Sequence, residues 1–240
     1  MPSPVRYTAG VATAAKDSTL FNYPAPDPTK VHQYFTDFNE YVVGDWTLTT
    51  VELGAGSATE ALGDEAFGAL VVTNDAADND SDFFQKLGES FLLTAGKKAW
   101  FKTRLKISDA TQSEFYAGLM ITDTDPLSAT AGDGVTDGVF FMKEDGAATL
   151  DVYCQKDTTT GQTSAAGIAT IVADTYITLG WEYDGVNAVK YFINDVHKGT
   201  LDASSTYLPN TELTVSFGIK NGEAVAKILT VDYLFAAIER

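Results

Sequence analysis

The chain has 240 residues, with 33 Asp and Glu against 16 Lys and Arg, and a formal net charge of −17. Such an acidic surface repels phosphate backbones and anionic headgroups, which argues against nucleic acid and membranes as partners. Hydrophobic residues make up 45% and aromatics 12%, enough for one sizeable β core and too many for a disordered chain.

Residues 1–30 differ from the rest. Five of the seven prolines are here, as Pro2, Pro4, Pro24, Pro26 and Pro28. Proline fixes φ and disfavours helix before it, so 22–28 reads as extended. The segment lacks the makings of a core. It is either a loose tail or an arm that docks on a neighbour, with Arg6, Tyr7, Leu20, Phe21 and Tyr23 as anchors. The first twenty residues have no apolar stretch of the signal-peptide kind, and no run approaches the roughly 18 apolar residues of a membrane span. One cysteine, Cys154, leaves no internal disulfide. Folding in a reducing cytoplasm is the expectation, with Cys154 a core residue.

From about residue 31 the pattern has period two. Strands are expected at 46–53, 67–73 and 84–93, with a short turn near 59–65. In Lys98–Ile107, Ala99, Phe101, Thr103, Leu105 and Ile107 face one way, and Lys98, Trp100, Lys102, Arg104 and Lys106 the other. Phe115, Ala117, Leu119 and Ile121 form a similar face over 114–122. Strands follow at 138–143, 148–155, 169–172, 175–183, 188–193, 212–219 and 225–238. Between them stand Asp133-Gly134, Asp137-Gly138, Asp145-Gly146, Asp184-Gly185 and Asn221-Gly222, which supply the positive φ of tight hairpins. About a dozen short strands at this spacing predict an all-β, antiparallel two-sheet sandwich over 31–240, behind the 1–30 arm.

The run Thr178-Leu179-Gly180-Trp181-Glu182-Tyr183-Asp184-Gly185, then Val189–Asp195, Leu208-Pro209 and Thr230-Val231-Asp232-Tyr233, resembles the concanavalin A-like lectin/glucanase jelly roll over 85–238. A narrower resemblance rests on Asp27–His32, Asp45–Thr50, Gly54–Thr59, Thr73–Ala76, Lys97–Lys102 and the ending Thr230–Arg240. These look like virion structural proteins of tailed phages. That resemblance implies a virion protein made in the host cytoplasm and decorating the capsid. Its partners would be the major capsid protein and other copies of itself, with the 1–30 arm docking on the shell.

Candidate chemistry is sparse. Family-16 glucanases, which share the jelly roll, carry Glu-x-Asp-x-x-Glu on one strand, where alternation puts the carboxylates on one face. Here Glu182-Tyr183-Asp184-Gly185-Val186-Asn187 lacks the third carboxylate, and Asp184-Gly185 reads as a hairpin. Two histidines, His32 and His197, and one cysteine give no zinc spacing. The expectation is a non-catalytic chain without a cofactor. Two acidic loops, 74–82 and the one carrying Asp123, Asp125, Asp133 and Asp137, are either solvated or sites for Ca²⁺, which takes six to eight oxygens. The basic stripe is either the wet face of a strand or a contact surface. In the contact reading Trp100, Lys102 and Arg104 meet a partner or a glycan, with Tyr116 and Tyr153 as further exposed rings.

Overall fold

The structure, a computed structural model, describes Thr19, 29–123, 126–127, 134–157 and 161–240. Sixteen strands form among the described residues. The first eight are β1 (Val31–Thr36), β2 (Trp46–Val51), β3 (Thr59–Leu62), β4 (Leu70–Thr73), β5 (Ser81–Lys86), β6 (Phe91–Leu92), β7 (Ala99–Ile107) and β8 (Ser113–Met120). The second eight are β9 (Gly138–Lys143), β10 (Thr149–Lys156), β11 (Gly161–Thr170), β12 (Ile177–Tyr183), β13 (Ala188–Ile193), β14 (Val196–Asp202), β15 (Glu212–Asn221) and β16 (Ile228–Glu239). One 3-10 turn, Val43–Asp45, precedes β2.

The strands make two antiparallel sheets. The first runs β14-β13-β12-β7-β16-β4-β3, with β1 also on β16; the second runs β11-β10-β9-β8-β15-β5-β2, with β6 also on β15. Their inner faces share one core. Phe38, Trp46, Phe84 and Phe217 fill one part of it, with Phe84 and Phe217 stacked at 4.8 Å. Trp181 on β12 donates its indole N–H to the Val139 carbonyl on β9, tying one sheet to the other at 3.1 Å. The two-sheet sandwich expected from alternation and turns is the fold observed.

Local details differ from the sequence reading for identifiable reasons. The expected strand at 84–93 is two strands, because Gly88 turns the chain at φ +85°. The turn expected near 59–65 is β3, an exposed edge strand. The strand expected at 169–172 is the end of β11, a longer edge strand of small and polar residues whose burial shows no clean alternation. Strands β1 and β14 carry too little periodicity to be read locally. At Asp184-Gly185 the hairpin is as expected: Asp184 Oδ1 accepts the N–H groups of Val186, Asn187 and Ala188, and Gly185 has φ +80°. Cys154 is buried in the core, and burial pushes its thiol up to about 12.

The arm anchors Arg6, Tyr7, Leu20, Phe21 and Tyr23 lie outside the described residues. Thr19 is described. It is buried on the outer face of the first sheet, where Gly180 on β12 leaves room: a Cβ there would stand 2.6 Å from the Thr19 hydroxyl.

Candidate functional site

The basic stripe lies on the outer face of the first sheet and is neutralised locally. Lys98 faces Glu182 at 3.7 Å, Lys102 pairs with Asp195 at 2.7 Å, Arg104 with Asp232, and Lys106 with Glu65 at 2.8 Å. The Arg104 guanidinium also lies over the Tyr176 ring, 3.9 Å from its centroid. Lys102 and Arg104 are thus engaged within the chain. Trp100 is not the exposed ring that alternation implies: it is 0% exposed, in a cluster with Val31, Phe235 and Ala237. Pairing of β1 and β7 on either side of β16 builds that cluster on the outer face, which no local pattern announces.

Tyr116 and Tyr153 are also buried rather than exposed. On the outer face of the second sheet Tyr116, Phe140 and Tyr153 stack at 5.6 and 5.3 Å, under Leu127 and Val135. Lys220 donates to the Leu127 carbonyl, and Gln155 to that of Val135. Beside Tyr116, Glu114 pairs with Lys220 at 2.6 Å, yet burial raises its carboxyl above the usual range. Burial likewise pushes the Tyr116 phenol far up. A raised carboxyl next to a phenol is the kind of pair proton transfer uses, but both side chains are sealed from solvent here.

Glu182 and Asp184 do not form a catalytic pair. Glu182 is buried beside Lys98, and Asp184 is committed to the hairpin, whose backbone N–H groups hold its carboxyl below the usual range against the opposing effect of burial.

The acidic loop 74–82 does bring carboxylates together, with a partner the sequence reading missed. Oxygens of Glu52, Asp75 and Asp80 lie within 4.8 Å of one another. Glu52 arrives because β2 pairs with β5, setting Val51 opposite Ser81. Backbone N–H groups of Ala58, Gly56 and Leu53 orient the three carboxylates at 2.6, 3.0 and 2.6 Å. Gly54 and Gly56 let that loop close, since a Cβ at either would meet the Asp75 carboxylate at 2.6 or 2.3 Å. Asp80 is 1% exposed, and its Oδ2 has no hydrogen-bond partner; the buried Asn74 beside it has a bare Oδ1. Asp82 stands apart, accepting from the Thr50 hydroxyl at 2.6 Å. Of the second acidic loop, Asp125 and Asp133 lie outside the described residues. Asp123 and Asp137 join no such cluster among those described.

All three carboxylates lack an ion pair among the described residues, and a buried carboxylate without a countercharge is costly. Ligands across a Ca²⁺ ion stand at most about 4.6–5.2 Å apart, given metal–oxygen distances near 2.3–2.6 Å. The spacing allows, and the all-oxygen donor set suits, a hard divalent cation.

Two open cavities flank β1, on the side that carries His32, Tyr34 and Thr36. The smaller, about 230 Å³, is lined by Tyr34, Phe35, Thr36, Glu40, Asp45 and Trp46. Tyr34 meets Trp46 edge to face at 6.2 Å, and Lys86, paired with Asp45 at 2.9 Å, lies over both rings. Burial and the Asp45 charge push the Tyr34 phenol up to about 12. Phe35 is 58% exposed at the rim. Aromatic rings offer flat apolar surface, and the exposed Glu40 carboxylate can accept hydroxyl donors, which together suit a sugar ring. The larger cavity, about 400 Å³, lies by His32, between Ser90, Lys97 and the end of β16.

No protein-family model matches the chain, and no curated protein does. Solved structures share its fold. The Streptomyces sioyaensis endo-1,3-β-glucanase is similar at 15% identity over 90% of this chain and 99% of its own, with a TM-score of 0.61. Peanut lectin is similar at 9% identity over 88% and 97%, TM-score 0.56. The Trichoderma reesei endo-β-1,4-glucuronan lyase is similar at 9% identity over 85% and 94%, TM-score 0.54. The concanavalin A-like jelly roll is therefore the fold, as the sequence resemblance implied. The expectation of a non-catalytic chain is corrected: two of these three neighbours are a glucanase and a glucuronan lyase, so the shared fold gives no ground to exclude catalysis. A missing triad at 182–187 tests one strand and does not set the chain apart from them. None of the three is named as a virion protein.

Proposed function

We propose that the chain binds polysaccharide in the groove beside β1. The observation that carries this reading is the groove itself, where the exposed Phe35 and the half-buried Tyr34 stand with the exposed Glu40 and Asp45 above the buried Trp46. The names of the fold neighbours, a β-glucanase, a glucuronan lyase and a lectin, support it. Phe35 and Glu40 are exposed, so removing them leaves the core intact. Affinity electrophoresis in gels cast with neutral β-glucans tests the proposal. Retardation of the native chain and about fivefold weaker binding by Phe35→Ala with Glu40→Gln, roughly 1 kcal/mol, is the expected result. Equal retardation of the variant would sink it. Release of reducing ends in the same mixtures would show cleavage as well as binding.

The same proposal assigns a structural Ca²⁺ to Glu52, Asp75 and Asp80. The cation would neutralise Asp80 and pin the 52–58 loop to the 74–80 loop.

The resemblance to tailed-phage virion proteins supports a setting for this activity, a particle surface that meets glycans. Mass spectrometry of purified virions for multiple copies of the chain tests that setting, and its absence from intact particles would exclude it.

A further inference from the structure

We infer that the larger cavity beside β1 takes a carboxylate-bearing sugar unit, a hexuronate, held by Lys97 and Arg240. The inference rests on the polysaccharide reading above and adds the charge of the polymer.

Among the described residues, Lys86, Lys98, Lys102, Arg104, Lys106, Lys220 and Lys227 each pair with a carboxylate. Lys143 and Lys156 donate to backbone carbonyls. Cations without such a partner among those residues are Lys30, Lys97, Lys190, Lys198 and Arg240. Two of the five, Lys97 and Arg240, line one cavity. Lys30 is close by, since its carbonyl accepts the Arg240 N–H at 2.8 Å. In a chain of net charge −17, acids are abundant enough to pair with every base, yet Lys97 and Arg240 line one cavity with no ion pair among the described residues.

The cavity's one acidic side chain, Glu239, keeps its charge but is turned to the backbone, its Oε2 accepting the Lys98 N–H at 2.8 Å, so two cationic side chains face one acidic side chain. The remaining lining suits a sugar. Ser90 and Thr94 supply hydroxyls, and Leu92 and Ile238 supply apolar surface for the C–H face. His32 hydrogen-bonds Ser90 at 3.0 Å and rests against Phe91, which fixes its ring at the cavity wall. A volume of about 400 Å³ falls within the range of small-molecule sites. A guanidinium matches a carboxylate in two parallel hydrogen bonds, and an ammonium adds a point charge beside it. The acidic remainder of the surface rejects a polyanion elsewhere, so an anionic sugar is directed to this end of β1.

Calorimetric titration with three matched oligosaccharides tests the inference: a neutral glucan, an oligouronate and a sulfated neutral glucan. The variant Lys97→Gln with Arg240→Gln changes exposed or half-exposed side chains, and an unchanged melting temperature checks its fold. The expected result is tighter binding of the oligouronate than of the other two. That preference weakens with added salt, and the variant loses about tenfold in oligouronate affinity with none in neutral glucan. Equal affinity for neutral and uronate sugars, or a variant that keeps the preference, overturns the inference and leaves the polysaccharide reading standing. Preference for the sulfated glucan overturns the carboxylate assignment. Binding of none of the three overturns both.

Discussion

Replacing Asp80 by Asn tests the cation site through a change of sign. The substitution keeps the oxygen that accepts the Leu53 N–H and removes one charge from a cluster of three carboxylates. Without divalent cations, in excess chelator, the variant should melt no lower than the native chain, because mutual repulsion is relieved. With Ca²⁺ the order should reverse. For a dissociation constant of about 0.1 mM, within the range of weak calcium modules, about 10 mM Ca²⁺ stabilises the folded state by about 2.7 kcal/mol. A chain of this size gains roughly 2–4 °C per kcal/mol, so the native protein should rise by about 5–10 °C. The variant should rise by a small fraction of that. Differential scanning calorimetry of both proteins, in chelator, Ca²⁺ and Mg²⁺, reads the effect directly. Equal calcium shifts in the two proteins, or none in the native chain, would refute the reasoning.

Phe217→Ala removes a ring stacked on Phe84 and edge-on to Trp46, in a fully buried position. A loss of about 3–5 kcal/mol follows, seen as a fall of about 10 °C or more in melting temperature; a fall under a few degrees would mean the core there is loosely packed. Asp109 is held well below the usual carboxylate range by its hydrogen bond to Lys227, with the Gln112 and Thr111 N–H groups adding to it. A depressed folded value contributes stability that is full above about pH 4 and is lost as pH falls through the folded value. Asp109→Asn should therefore lower the melting temperature at neutral pH and flatten its decline in acid; a parallel acid limb would contradict the pairing.

The sandwich was legible in the sequence because its signals are local. Alternation at 98–107 needs only a pleated backbone with one dry face, and Asp184-Gly185 closes a hairpin through its own side chain and a glycine at positive φ. Burial of Cys154 follows from the same alternation. The weak strands β1, β11 and β14 were not legible, because edge strands bury little and so show little pattern. The site residues failed for a related reason. Trp100 occupies the polar side of its strand, and only the arrival of β1 on β16 covers it.

Local periodicity fixes which residues can face inward, since that is a property of one strand's pleat. It does not fix which strands become neighbours, and neighbours decide the chemistry. Glu52 meets Asp75 and Asp80 through the β2–β5 pairing, and Lys97 and Arg240, unpaired among the described residues, line one cavity where β7 begins and β16 ends. The sequence alone determined an acidic, two-sheeted β chain with charged turns. The tertiary structure decided which charges are spent on one another and which are left without an ion pair among the described residues, because electrostatic pairing depends on distance in space and not along the chain.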